Sequence, residues 1–519
     1  MLESRSSMAS LSGARITSVE VVTEGPELPG LTHLGAPLHP VSRETTVRRQ
    51  LLFAPGDTVD TLMIGETMRR LRRQRTFTDA VLLARQCGDS AGVGLVLRTR
   101  DSWSLRPTAR LRSASSLSLG VEERNLLGTG RTISLTSEMS NRGPGAAVSL
   151  SDPWVLGSDL SANVRFAKLG DSHTFRAGAR NHEYSVFDPW RVEANVARLS
   201  FGDTAATDRS LHTVSAMALI GRRVGSTSNS SRMVTMLVVG AEFDSAASIS
   251  TSRTLPAGAP PQTPHVRSFL GVDLGMMRRT AQYDTASWVV PGSGFLDIPI
   301  GWEGDIVAAG GYERSVHQPA GKVDAWLGRV WIPGRGRVLM LDLWGSGYLG
   351  KYVDANHIAR ASAGWYEEAP RGMWGARLSF ERLLEVDPDL RALSLMPLAD
   401  YTTPVVRPYA ARGERTIAAS VERSIHLFTI GTTSVVDAGP FLAASFRRGV
   451  DSVADNQLRA GVVGTRFRIL TANGAVSSAR IDIGYPVVRS ASLSARPFLV
   501  FTMGTLFDVS RQRDGRRVY

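Results

Sequence analysis

The chain has almost no cysteine. A single thiol in 519 residues, Cys87, excludes a disulfide framework and any zinc site built from several cysteines. Lysine is nearly as scarce, since Lys168, Lys322 and Lys351 are the only three. The 60 basic residues are therefore almost all arginine, and against 48 acidic residues they leave a net charge of +12. Arginine binds phosphate and carboxylate through a planar fork. These arginines are scattered rather than gathered into a stripe, which argues against nucleic acid as the partner. No apolar run approaches about 18 residues, and the best, Met233 to Gly240, is far shorter. A membrane-spanning helix is excluded. A membrane β-barrel is not, because its strands are individually only mildly hydrophobic. The first residues, MLESRSSMASLSGAR, contain no apolar core of about 7–15 residues and so no secretory leader. An outer-membrane destination then requires a leader already removed or a misplaced start.

Catalytic signatures are missing too. The nine histidines show no metal-binding spacing, and His173, His182, His212 and His426 stand singly in strand-like stretches. Gly88-Asp89-Ser90-Ala91-Gly92 has the form G-x-S-x-G. It lies between two strand-like runs, without the strand–turn–helix setting of a nucleophile elbow, and reads as a hairpin turn. Gly128-Thr129-Gly130 and Gly334-Arg335-Gly336 lack a phosphate-loop lysine and read as turns. No enzyme activity, metal or cofactor is expected.

Residues 15–104 carry mixed periodicity. Ile16 to Val22 alternates as a strand, and 43–53 reads as a helix. After the FAPGD break, 58–73 reads as a second helix, with Asp57 or Thr58 as N-cap. Val59, Met63, Met68 and Leu71 fall on one of its faces. Strands at 78–86 and 93–101 complete a β-α-α-β-β order, enough for one small α+β domain.

Beyond residue 105 alternation takes over. In 158–168, Leu160, Ala162, Val164 and Phe166 oppose Ser161, Asn163 and Arg165. In 416–425, Ile417, Ala419, Val421 and Ile425 oppose Thr416, Ser420, Glu422 and Ser424, with Arg423 the exception. The segments 480–487 and 491–509 alternate likewise. A period of two gives each strand two chemically different faces. Runs of about 9–11 residues suit a tilted membrane crossing better than a soluble sandwich strand. Nine of the ten tryptophans follow residue 105, and Trp154, Trp190, Trp302 and Trp344 lie near strand ends, where an aromatic girdle would sit. Asp152-Pro153-Trp154 and Asp188-Pro189-Trp190 read as turns with interfacial aromatics. Long connections at 225–232, 251–265 and 388–406 contrast with tight turns such as Ala472-Asn473-Gly474.

Several segments in order carry a family likeness: EERNLLGTGRTISLTSEMS (122–140), SDPWVLGSDLSANVRF (151–166), SVVDAG (434–439), VVGTRFRI (462–469) and ARIDIGYPV (479–487). Through them the chain resembles the BamA/TamA superfamily of outer-membrane assembly and translocation barrels, the bacterial surface antigen proteins. The resemblance implies an unstructured remnant at 1–14, one periplasmic POTRA domain at 15–104, and a transmembrane antiparallel barrel of about 16 strands at 105–519. Its seam would join 131–140 to 491–509. The family carries Val-Arg-Gly-Phe/Tyr at the tip of a loop folded into the lumen. Here that motif is Val406-Arg407-Pro408-Tyr409, and proline, unlike glycine, cannot adopt positive φ. The resemblance implies that Arg407 and Tyr409 meet the inner wall at Asp437 and Arg466, with Glu422 or Asp482 as a further acid.

The implied function is non-enzymatic: insertion or translocation of polypeptides at the Gram-negative outer membrane. The implied partners are unfolded outer-membrane or secreted polypeptides, accessory periplasmic proteins and membrane lipids, with lipopolysaccharide phosphate one target of so basic a chain. A dedicated secretion pore and a passive porin-like channel are the alternatives. A soluble all-β binding protein is the third reading, because sandwiches alternate as well.

Overall fold

The structure is a computed structural model of the full chain. It describes residues 11–26, 40–74, 76–86, 92–113, 116–140, 143–170, 172–181, 188–201, 209–224, 233–250, 265–280, 282–285, 297–350, 357–384, 415–430, 434–448, 457–473, 475–489 and 496–505.

The N-terminal module follows the expected order: β1 (Arg15–Glu24), α1 (Glu44–Arg48), α2 (Thr61–Arg73), β2 (Phe77–Gln86) and β3 (Gly92–Asp101). The sheet runs β1-β3-β2, with β3 parallel to β1 and antiparallel to β2. Both helices cover one face, and Ile16, Val47, Leu71, Phe77, Leu95 and Leu97 are buried between the layers. Two boundaries differ from the sequence expectation. The first helix stops at Arg48 because β-branched Thr45, Thr46 and Val47 support a helix weakly. The Leu52 amide then bonds the Thr67 hydroxyl at 3.1 Å, turning the chain into α2. The second helix is capped by Asp60, whose Oδ1 accepts from the Leu62 amide at 2.8 Å. Asp57 instead closes the preceding turn on the Ala54 amide at 2.7 Å. Ile64, rather than Met63, sits in the core beside Met68 and Leu71.

The remaining chain is almost entirely strand. In order come β4 (Leu105–Ser113), β5 (Ser116–Leu126), β6 (Arg131–Ser140), β7 (Gly143–Asp152), β8 (Leu160–Leu169), β9 (Ser172–Asn181), β10 (Trp190–Phe201) and β11 (Arg209–Val224). They are followed by β12 (Met233–Ser250), β13 (His265–Thr280), the short hairpin β14 (Tyr283–Thr285) and β15 (Asp297–Pro299), β16 (Gly301–Glu313), β17 (Gln318–Trp331) and β18 (Arg337–Leu349). The last are β19 (His357–Ala369), β20 (Gly372–Leu384), β21 (Arg415–Ile430), β22 (Ser434–Arg448), β23 (Gln457–Asn473), β24 (Ala475–Arg489) and β25 (Phe498–Thr505). All but the β14–β15 hairpin belong to one antiparallel sheet in chain order, and β25 lies beside β4, so the sheet curves round into a barrel.

The barrel therefore has twenty strands among the described residues, not about 16. Its first strand is β4, and 131–140 is β6, an interior strand between β5 and β7. The expected seam was misplaced because it followed the family likeness at 122–140, while β4, ahead of it, carries Pro107 and three arginines in nine residues, which mutes its alternation.

Polarity is inverted relative to a soluble protein. On β24, Ile483 is 46% exposed on the outer face, while its neighbour Asp482 is wholly buried on the inner one. The same division holds on β23, where Val463, Phe467 and Ile469 face out and Arg466 and Arg468 are buried. Trp190 and Trp302 are exposed at strand starts as expected. Trp154 and Trp344 are not girdle residues, since both are buried. Trp344 shares its strand face with Val338 and Tyr348, and parity turns it inward. The connections do not sort by length alone. Strand order puts Val224 and Met233 at the end facing the N-terminal module, and Ser250, His265, Leu384 and Arg415 at the far end; 225–232, 251–264 and 385–414 lie outside the described residues.

Candidate functional site

The inner wall from β21 to β24 holds a dense ionic network. Arg466 donates Nε to Asp482 Oδ1 at 2.8 Å and Nη2 to Oδ2 at 3.1 Å. Its Nη1 bonds Glu422. The other Glu422 oxygen accepts from Arg468 at 2.6 Å. Arg480 Nε stands 3.1 Å from Asp482 Oδ2. Forked arginine–carboxylate pairs of this kind are strong and directional. The Arg466 guanidinium also lies 4.6 Å above the Phe441 ring. These charges fall together because alternate residues of adjacent strands share one face, and Arg466 pairs with Asp482 across the ladder.

Asp437 is set apart. Its Oδ2 accepts from the Ser424 hydroxyl at 2.7 Å, and His426 Nδ1 is 3.6 Å from its Oδ1. Glu422 and Asp482 each meet two arginines, whereas Asp437 meets none among the described residues. Of the residues singled out in the sequence, Glu422 and Arg466 are thus in direct contact, and Asp437 is close by on β22. Arg407, Pro408 and Tyr409 lie outside the described residues. So do Cys87 and the G-x-S-x-G segment. Arg468, Arg480 and Ser424 were missed, although their parity with Arg466, Asp482 and Glu422 was visible in the sequence.

A second network lines the opposite part of the sheet. Lys322 on β17 reaches Glu242 Oε2 at 2.8 Å and Asp244 Oδ2 at 3.8 Å on β12. The Tyr348 hydroxyl bonds the same Asp244, and its ring packs edge-on against buried Phe269 with centroids 5.6 Å apart. Lys322 crosses two intervening strands. It can do so because the register places Gly271, Ala309 and Gly311 beneath it. Below this cluster, Leu219, Val234, Met236, Val238 and Met277 form an apolar lining.

The module meets the barrel at the Asn-Leu-Leu-Gly turn. Asn125 is wholly buried there. Its Nδ2 donates to the Pro40 carbonyl at 3.1 Å and the Ser42 hydroxyl at 3.0 Å, and lies 3.3 Å from Asp101 Oδ2. Its Oδ1 accepts from the Gly130 amide at 2.9 Å. Arg43 N and Thr46 Oγ1 both bond the Gly128 carbonyl, at 2.9 and 3.0 Å. Gly128 has φ +73°, and a Cβ there would stand 2.4 Å from the Val41 carbonyl, so the turn requires glycine. On the far side of the module, the buried Glu66–Arg69 pair on α2 lies under Tyr283 of the β14–β15 hairpin, with the Arg69 guanidinium 4.6 Å from the ring. Among the described residues no cluster of side chains could hold a metal ion.

No family model matches the chain, and no curated protein matches it. Solved structures do. CdiB from Escherichia coli aligns with TM-score 0.47 and 12% identity, over 97% of this chain and 79% of that one. CdiB from Acinetobacter baumannii aligns with TM-score 0.41 and 11% identity, over 95% and 74%. BamA from Haemophilus ducreyi lacking POTRA domains 1–3 aligns with TM-score 0.40 and 11% identity, over 95% and 84%.

Proposed function

We propose that the chain is a Gram-negative outer-membrane barrel that assists insertion or translocation of polypeptides, with residues 15–104 as a periplasmic POTRA-like module and 105–519 as the barrel. The observation that carries the membrane reading is the inverted wall: apolar side chains exposed outward, ion pairs buried inward. Water does not favour such an exterior over twenty strands, and lipid does.

The polypeptide part of the reading rests on the module and the motif order. The β1-β3-β2 sheet has two edges, to which an extended client can add by main-chain pairing. On β1 the first residues are bridged to the turn at Thr58, and Arg48 Nη2 holds the Val19 carbonyl at 3.1 Å. The rest of that edge is the candidate docking strand. The resemblance implies an inner-wall contact for Arg407, and Asp437, the acid that meets no arginine among the described residues, is its proposed partner. Pro408 stands where the family has glycine, and proline's fixed negative φ sets this motif apart from the family's. A passive channel is the weaker reading, since ionic networks on two parts of the wall occupy lumen space.

The test is reconstitution of the full chain in liposomes with a urea-unfolded barrel client. Client insertion, read as protease protection and heat-modifiable migration, is expected to run at least several-fold faster than in protein-free liposomes. Equal rates, with steady conductance in the absence of client, would replace this reading with the channel.

A further inference from the structure

The outer wall carries a depression of about 940 Å³ spanning β13 to β20. Ladder registry aligns Arg278, Gly304, Leu327, Leu343, Ala361 and Phe380 on successive strands. The hollow exists because outward positions that elsewhere carry Leu, Ile or Phe are here Gly304, Ala325, Gly345 and Ala361. Ile306, Leu327 and Leu343 wall it, and all three are exposed. The rim at the module-facing end is cationic. Arg278 is exposed and has no ion pair among the described residues. Arg329, paired in register with Trp302, holds its guanidinium 4.6 Å from the Trp302 ring and 4.4 Å from Trp331. The Arg329 Nε is buried and has no hydrogen-bond partner among the described residues.

An apolar trough with Arg278 in its lining, and with Arg329 stacked on the Trp302 that lines the same end, matches an amphiphile with an anionic head and a long alkyl tail. We propose that this groove binds one anionic phospholipid of the module-side leaflet, with its phosphate on Arg278 and Arg329 and one acyl chain in the trough. Arginine fits phosphate as a forked donor, and tryptophan seats it at headgroup depth. The proposal rests on the outward face being lipid-facing. It differs from a general girdle in requiring a defined cavity and selective retention.

The experiment uses the folded full chain, checked by heat-modifiable migration, in nanodiscs of mixed phosphatidylglycerol and phosphatidylcholine. Lipid that stays bound after detergent extraction is counted by native mass spectrometry. Wild type is expected to keep one phosphatidylglycerol with about tenfold preference. Arg278→Gln with Arg329→Gln is expected to lose the preference, and Gly345→Leu to lose retention. Val164→Leu, on the outer face of β8, is expected to change neither. Equal retention by all variants, or no preference in wild type, overturns the groove. Bromine-labelled acyl chains separate the two levels of failure. Quenching of outward tryptophans without selective retention refutes the groove alone, whereas absence of quenching refutes the lipid-facing wall beneath it.

Discussion

A single carboxylate, Asp482, holds the inner network together at the residue scale. It is wholly buried and faces two arginines. Removing it strands charge in a low-dielectric wall, and the loss of one partner of such a pair costs about 3–5 kcal/mol. Asp482→Ala is therefore expected to lower the heat-modification midpoint sharply. Ser445→Ala is the control on the same wall: its hydroxyl has no hydrogen-bond partner among the described residues, and the midpoint should move little. Equal midpoints in Asp482→Ala and wild type would show that the network contributes nothing. Asp437 poses a different question, because its partners are Ser424 and His426 rather than arginine. A double-mutant cycle between Arg407→Ala and Asp437→Ala is expected to show coupling of about 1–3 kcal/mol if the loop arginine uses that acid. Additive effects would exclude the contact. A conserved spacing would not have been needed to find this network. Parity alone pointed Arg466 inward, but which acid it grips depends on cross-strand register, and register is not written in one strand.

Elements meet under tight steric terms. On β22, a Cβ at Gly439 would lie 1.6 Å from the Arg423 carbonyl of β21. Gly439→Ala must spread that strand pair, and it is expected to slow barrel folding and reduce the heat-modifiable fraction, read by gel at fixed refolding times. Arg423, the residue that broke the alternation, explains itself here. It faces outward, stacks 5.6 Å from Trp374, and bonds the Pro370 carbonyl at 2.7 Å. Apolar parity thus identified β8, β21, β24 and the stretch around β25, and mixed periodicity gave the element order of the module. What stayed hidden had physical causes. The count of about 16 came with the family resemblance rather than from strands counted along the chain, and β4, with Pro107 and three arginines, shows no clean apolar face that would have raised it. Nearness to a strand end does not decide which way a tryptophan faces: Trp344 is turned inward by parity on β18, and Trp154, in the turn after β7, is buried as well. The Asn-Leu-Leu-Gly motif is visible in the sequence, yet only three-dimensional contact reveals Asn125 as the centre of the module–barrel joint. Asn125→Asp would aim a carboxylate at Asp101, and it is expected to loosen the joint more than Asn125→Ala. Faster hydrogen exchange at 40–46 and 127–130, with unchanged exchange in β23, is the signature to measure.

The whole molecule is defined by which medium touches its outer wall, and adjacent residues on one strand report it. Val462 and Val463 are neighbours on β23, wholly buried and 42% exposed respectively. Val338 and Leu339 repeat the contrast on β18 at 1% and 37%. Because the chain has one native thiol, Cys87→Ser leaves a background in which single cysteines can be placed at these four positions. In a bilayer, a membrane-soluble maleimide is expected to label Val463→Cys and Leu339→Cys. Val462→Cys and Val338→Cys should stay protected until heat unfolding. A water-soluble maleimide should reach neither outward position while the bilayer is intact. A period-two reactivity pattern of this kind requires side chains that alternate between lipid and a packed interior. A stacked second layer gives the opposite result, because it shields the outward positions from both reagents. A soluble wall exposes them to the water-soluble one. Either outcome would remove the barrel's membrane role and, with it, the phospholipid groove and the proposed client insertion.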